Sequence, residues 1–258
     1  MVPDRGTTND AHPAVVLLHA GVADSRMWEV QRRALQGRYA VWSPDLRGFG
    51  ERPHEPGPFS HTDDLLALLD GHGVERAALV GSSFGGRVAL ETASVAPDRV
   101  SALVLLCGAA PLLSATDDLV AFDEEEERLL AAGDLDGAVE LNVRTWLGPS
   151  ADETARELLR AMQSRAFALD AAAEEPSPPV ELRRPEIDLA AVAMPALVVS
   201  GDHDLLLFRQ TARHLAEHLP QAETVSLEWA GHLPSLERPQ ETASLVAGYL
   251  DRVLGHEA

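Results

Sequence analysis

The chain has 258 residues, 21 basic and 41 acidic side chains, a formal net charge of −20 and no lysine, so nucleic acid and anionic membrane surfaces are not expected partners and Schiff-base chemistry has no side-chain amine to use. The one cysteine, Cys107, leaves no internal disulfide, and its apolar neighbours at 102–106 make it a small buried hydrophobe. Residues 1–12 are polar and no apolar run approaches the about 18 residues of a membrane span, so the expectation is a cytoplasmic protein built as one α/β domain with an insertion.

Apolar runs at 14–18, 39–43, 77–80, 102–107, 196–200 and 223–229 alternate with stretches of helical period. That rhythm predicts a mostly parallel central sheet with helices on both faces. The first run ends in Leu17-Leu18-His19-Ala20-Gly21-Val22, with Trp28 shortly after. The second leads into Asp45-Leu46-Arg47-Gly48-Phe49-Gly50, followed by Glu51 and Arg52. Ser60-His61-Thr62-Asp63 opens a helix, with Ser60 as its cap and Leu65, Leu66, Leu68 and Leu69 on its buried side.

The third run meets Gly81-Ser82-Ser83-Phe84-Gly85-Gly86, whose G-x-S-x-G spacing turns a buried strand sharply into a helix with a serine at the apex. Glycines two before and two after Ser83 remove the Cβ atoms that would collide in so tight a turn. Ser82 fits worse, because its flanking positions would be Val80 and Phe84. Ser83 is therefore the candidate nucleophile, and a serine hydroxyl needs an imidazole base and a carboxylate to orient it. Arg87, on the helix behind the turn, is an odd charge that could point to the helix end or to a pocket.

From residue 111 to about 191 the alternation stops, and the pattern predicts helices over 117–132, 134–147 and 152–172, broken at Gly133 and Gly148-Pro149. This is an inserted cap over the carboxyl edge of the sheet, so the core is 1–110 plus 192–258. Phe122 and Trp146 on the cap, together with Trp28, are candidate pocket walls. Glu124 to Glu127 reads as a solvated run rather than an ammonium-recognising patch. Residues 174–185, rich in proline, read as an extended return to the core.

The fifth run enters Gly201-Asp202-His203-Asp204, where either aspartate could orient a base. The sixth is followed by Ala230-Gly231-His232-Leu233-Pro234, placing His232 on a loop at a strand end. The other histidines, at 12, 54, 61, 72, 203, 214, 218 and 256, show no metal-ligand spacing and read as surface residues. No metal and no cofactor is expected.

Taken together these motifs resemble the α/β-hydrolase family, over residues 14–110 and 192–254. The resemblance implies the family's fold and the order nucleophile, acid, histidine, which falls on Ser83, Asp204 and His232, with Asp204 closing the family's G-x-x-D pattern. It also implies an oxyanion hole from the Gly21 and Phe84 amides, a loop-shaping role for His19, and a structural role for the Asp45 to Gly50 turn. Ala20, where the family usually has glycine, and Glu51-Arg52, where a small residue is usual, depart from the pattern. Arg26-Met27-Trp28, Asp45 to Gly50 and Leu65 to Arg76 are similar to small carboxylesterases and enol-lactone hydrolases. The expected activity is hydrolysis of a small ester or lactone through an acyl-enzyme. Carbon–carbon, thioester or amide cleavage by the same residues, or a non-catalytic receptor of the same fold, are the alternatives.

Overall fold

A computed structural model describes residues 12–172 and 179–255. Its main sheet has six strands, β1 (Ala14–Leu18), β2 (Ala40–Trp42), β4 (Ala77–Ser82), β5 (Val100–Leu106), β7 (Ala196–Gly201) and β8 (Ala222–Leu227), in the order β2-β1-β4-β5-β7-β8. Every neighbouring pair is parallel. A parallel sheet needs a crossover between strands, and the helices supply it on both faces.

Alternate residues of the strands show the two-sided burial directly. Val15, Leu17, Val80, Val104 and Val199 face one apolar cluster, which α1 (Glu29–Leu35) and α9 (Pro239–Leu254) complete with Leu35, Val246 and Leu250. Val16, Leu18, Leu79, Leu103 and Val198 face the other, closed by α2 (His61–Gly71), α3 (Phe84–Val95) and α7 (Leu206–His218) through Leu65, Leu69, Val88 and Leu215. The inner strands β1, β4, β5 and β7 are apolar on both sides for this reason and read as continuous runs, whereas β8 at the edge, AETVSL, is half exposed. At the start of α2, Ser60 Oγ accepts the Asp63 amide at 3.3 Å, as its cap position predicts.

Between β5 and β7 the chain forms α4 (Asp117–Ala131), α5 (Leu135–Trp146) and α6 (Glu153–Ala172). Their buried residues, among them Phe122, Leu129, Val139, Leu159 and Met162, join the first cluster. These helices are also tied to the turn after β2 by polar contacts: Arg165 on α6 donates to Gly50 O at 2.7 Å and pairs with Glu51 at 2.8 Å. Glu51 and Arg52, the two residues that depart from the family's turn, thus have partners of their own, since Arg52 reaches Asp64 at 2.9 Å.

A second, smaller sheet lies outside the pattern of apolar runs. β3 (Gly57–Phe59) and β6 (Val180–Leu182) pair in parallel as a separate two-stranded sheet. Three residues with a central proline carry too little pattern to read as a strand, so only the pairing itself reveals β3. The extended return predicted over 174–185 lies partly outside the described residues, at Glu174 to Pro178; its later part contains β6. Among the described residues no helix is long and apolar enough to cross a membrane.

Candidate active site

The turn between β4 and α3 holds Ser83 at φ 49° and ψ −113°, a conformation an L-residue rarely adopts and one that costs on the order of 1–3 kcal/mol. The surroundings enforce it: Ser83 N–H donates to Leu106 O at 3.0 Å, and Ser83 O accepts from Ala109 at 2.9 Å and Arg87 at 3.1 Å. A Cβ on Gly81 would lie 2.4 Å from Gly85 O, and one on Gly85 would lie 2.1 Å from Leu18 O. Both glycines are required, the second because α3 presses against the end of β1. Gly85→Ala is accordingly expected to destabilise the fold by at least about 1–3 kcal/mol, read as a lowered midpoint of urea unfolding; an unchanged midpoint would show that β1 and α3 can separate.

Strand ends bring two distant residues, His232 and Asp204, to this serine. Ser83 Oγ lies 2.7 Å from His232 Nε2, and His232 Nδ1 lies 2.8 Å from Asp204 Oδ2. His232 and Asp204 are buried, while Ser83 is partly exposed. The other Asp204 oxygen accepts the Leu205 amide at 2.7 Å, which aims the carboxylate. Asp202 is exposed and accepts instead from the Ser226 hydroxyl on β8, so of the two aspartates only Asp204 reaches the imidazole. The His232 ring is walled by Phe208 and Trp146, with centroids at 4.1 and 4.8 Å.

Gly21 and Phe84 stand side by side: a Cβ on Gly21 would be 3.5 Å from Phe84 Cβ. Among the described residues neither amide has a hydrogen-bond acceptor. His19 is fully buried, and burial holds its pKa below the usual histidine value. Its Nδ1 is 2.8 Å from Ala20 O and its Nε2 accepts the Leu46 amide at 2.9 Å, so both nitrogens are spent on backbone and the Gly21 loop is fastened to the Asp45 turn. Asp45 in turn accepts the Ser25 and Glu51 amides, each at 2.8 Å. Gly50 is required there, because a Cβ would fall 2.2 Å from the Asp45 carboxylate.

A cavity of about 330 Å³ opens beside these residues, between Gly21 and Phe49 of the core and Phe122, Trp146 and Phe167 of the insertion. Phe122 and Trp146 both line this cavity. Trp28, expected as a third wall, does not: its side chain is wholly buried in the first apolar cluster and lines no part of this cavity. Glu126 also faces the cavity, accepting from Asn142, whose own carbonyl accepts the Trp146 indole N–H at 2.7 Å; burial raises the Glu126 pKa. Glu124 and Glu127 are exposed, as a solvated run would be.

Three further residues near the site have surroundings that their sequence does not show. His61, expected at the surface, is buried edge-on against Phe59 and Phe84, and burial lowers its pKa to about 4. Cys107 is buried as expected but at φ 48°, and its sulfur, an Asp204 oxygen and a His232 nitrogen all lie within 4.8 Å of one another. Burial and the Asp204 charge push the pKa of this thiol well up. Glu237 is a buried carboxylate five residues beyond His232, and no motif flagged it. Arg87 resolves simply: it pairs with Glu91 on its own helix at 2.7 Å.

A parallel sheet with a strained serine turn at the end of a central strand defines the class of α/β hydrolases. The family model for the alpha/beta hydrolase fold matches residues 13–239, and the chain belongs to that family. It is 32% identical over 233 residues to RutD of Klebsiella pneumoniae (strain 342), named for carbamate hydrolysis, with 84% of each chain covered. Among solved structures it is similar to a thermophilic esterase from Thermogutta terrifontis, with TM-score 0.73, 26% identity, and 93% of this chain and 90% of that one covered. It is likewise similar to the enol-lactonase from Burkholderia xenovorans LB400, with TM-score 0.73, 25% identity, and coverage of 93% and 91%.

Proposed function

We propose that the protein is a serine hydrolase that cleaves a small carboxylic ester or lactone through an acyl-enzyme on Ser83. The observation that carries this reading is the unbroken chain of hydrogen bonds from Ser83 Oγ through His232 to Asp204. With Nδ1–H donated to the Asp204 carboxylate, His232 Nε2 is free to accept the Ser83 proton. Ser83 Oγ then attacks the substrate carbonyl carbon, and the oxyanion takes hydrogen bonds from the Gly21 and Phe84 amides. Loss of one such donor costs about 3 kcal/mol of barrier, or some hundredfold in rate. His232 returns its proton to the leaving oxygen. Water, deprotonated by His232, next attacks the acyl carbon and releases the acid. The insertion, residues 111–191, serves as a cap that shapes the substrate space.

The cavity wall limits the charge of that substrate. Glu126 and Asp170 line it, and among the described lining residues there is no arginine to neutralise an anion. A substrate carboxylate within about 4 Å of a wall carboxylate would be repelled by about 1–4 kcal/mol. An ester with an uncharged acyl chain is therefore expected to exceed its ω-carboxylate counterpart in kcat/KM by at least about tenfold at pH 7. Equal or better turnover of the acid-bearing ester would contradict this.

A second reading, cleavage of a carbamate by the same attack, draws on the 32% identity to a relative named for carbamate hydrolysis. Steady-state turnover of short p-nitrophenyl esters, neutral lactones and matched p-nitrophenyl carbamates separates the readings. A preference for esters or lactones supports the first and a preference for carbamates the second. A protein that binds these compounds and turns over none would be a receptor of this fold.

A further inference from the structure

Glu237, on the short helix α8 (Pro234–Glu237), is a carboxylate only 5% exposed that the reaction above does not use. Both its oxygens accept the Gly231 amide, at 2.9 and 3.0 Å. The Gly148 and Leu233 amides also favour its ionised form, against burial and the nearby Asp204 charge, which raise its pKa. Gly231 immediately precedes His232, and Gly148 lies just beyond α5 in the insertion.

At this point the insertion and the histidine loop touch backbone to backbone. A Cβ on Gly148 would lie 2.4 Å from Gly231 N and 2.6 Å from a Glu237 oxygen; one on Gly231 would lie 2.4 Å from Gly148 N. The next residue is held to the same helix end, since the His232 amide donates to Trp146 O at 3.0 Å. Two consecutive residues of the loop are thus fixed to the end of α5, and the Trp146 ring rests on the imidazole.

We propose that Glu237 is a positioning residue whose buried carboxylate clamps the loop bearing His232 to the end of α5, so that the imidazole's placement against Ser83 is set by the insertion as well as by the sheet. This rests on His232 being the base. The α5 end of the insertion then stays fixed through turnover, and a disturbance there reaches the imidazole without touching substrate.

The test compares E237A, E237Q and G148A with the wild type, using full-length protein, a neutral p-nitrophenyl ester and a fluorophosphonate probe. E237A is expected to lower kcat about 10- to 100-fold with KM within about twofold, because small misplacements of a reacting group act on the chemical step. E237Q, which keeps one carbonyl acceptor, should fall between E237A and the wild type. G148A lies 84 residues before His232 and should produce the same kcat-selective loss. In each variant the probe should still label one serine per chain, more slowly in proportion to kcat, which separates a misplaced base from an unfolded chain. If E237A does not fold, E237Q and G148A decide. Folded variants with wild-type kcat, or with KM raised and kcat unchanged, would overturn the proposal while leaving the hydrolase reading intact. A wild-type protein that does not label at all would overturn the hydrolase reading and this one with it.

Discussion

Ser83→Ala is expected to lower kcat on the order of 10⁵–10⁶-fold, the loss typical when the nucleophile of a hydrogen-bonded triad is removed. Alanine keeps the Cβ and the strained φ of 49°, and the backbone bonds that hold the turn, to Leu106, Ala109 and Arg87, are untouched. Unfolding midpoint should therefore change little, and the loss belongs to chemistry rather than to stability. On the proposed mechanism the three residues act as a unit, so His232→Ala added to Ser83→Ala should lower the rate hardly further. Rates measured on the single and double variants check both statements. A Ser83→Ala protein retaining more than about a hundredth of wild-type kcat would place the nucleophile elsewhere.

Asp204→Asn should cost about 10⁴-fold in kcat, and Asp202→Asn less than about threefold. The two aspartates are two residues apart, yet their surroundings differ in kind. Asp204 is 7% exposed, with one oxygen on the Leu205 amide and the other 2.8 Å from His232 Nδ1. An amide in its place turns an N–H toward the imidazole, favours the tautomer protonated on Nε2, and so removes the acceptor for the Ser83 proton. Asp202 lies in solvent and accepts from Ser226. Steady-state kinetics on the two variants, with KM recorded separately, tests the assignment, and losses of equal size would contradict it.

Much of this arrangement can be read from the sequence because close packing leaves few residue types possible. Gly85 must be glycine where α3 meets Leu18 O, and Gly81 where the turn folds back on Gly85. These collisions are what the G-x-S-x-G spacing encodes. The inner strands are legible because sheets covered on both faces are apolar at successive positions, as Leu79-Val80 and Val198-Val199 are; β8, AETVSL at the edge, carries a weaker mark. Side chains that act through long-range packing left no such mark. Trp28 is near His19 in sequence, but its ring turns into the core and away from the cavity. His61 has the look of a surface cap residue until Phe59 and Phe84 are seen to enclose it. Glu237 sits beside Arg238, and its carboxylate is buried where that segment meets Gly231 and Gly148. Nothing periodic announces a contact between residues 148 and 237, because it depends on where the insertion lands.

The charge of the chain acquires a meaning at the cavity. The chain has no lysine and a net charge of −20, and the described residues lining the cavity include Glu126 and Asp170 but no arginine. The acyl preference proposed above is a local consequence of that global imbalance.

The most direct measurement is mass spectrometry of the protein after reaction with a fluorophosphonate. The account predicts one adduct per chain, on the peptide containing Ser83, and none in Ser83→Ala. Labelling of a different residue, or an unmodified wild-type protein under conditions that label a known serine esterase, would contradict it.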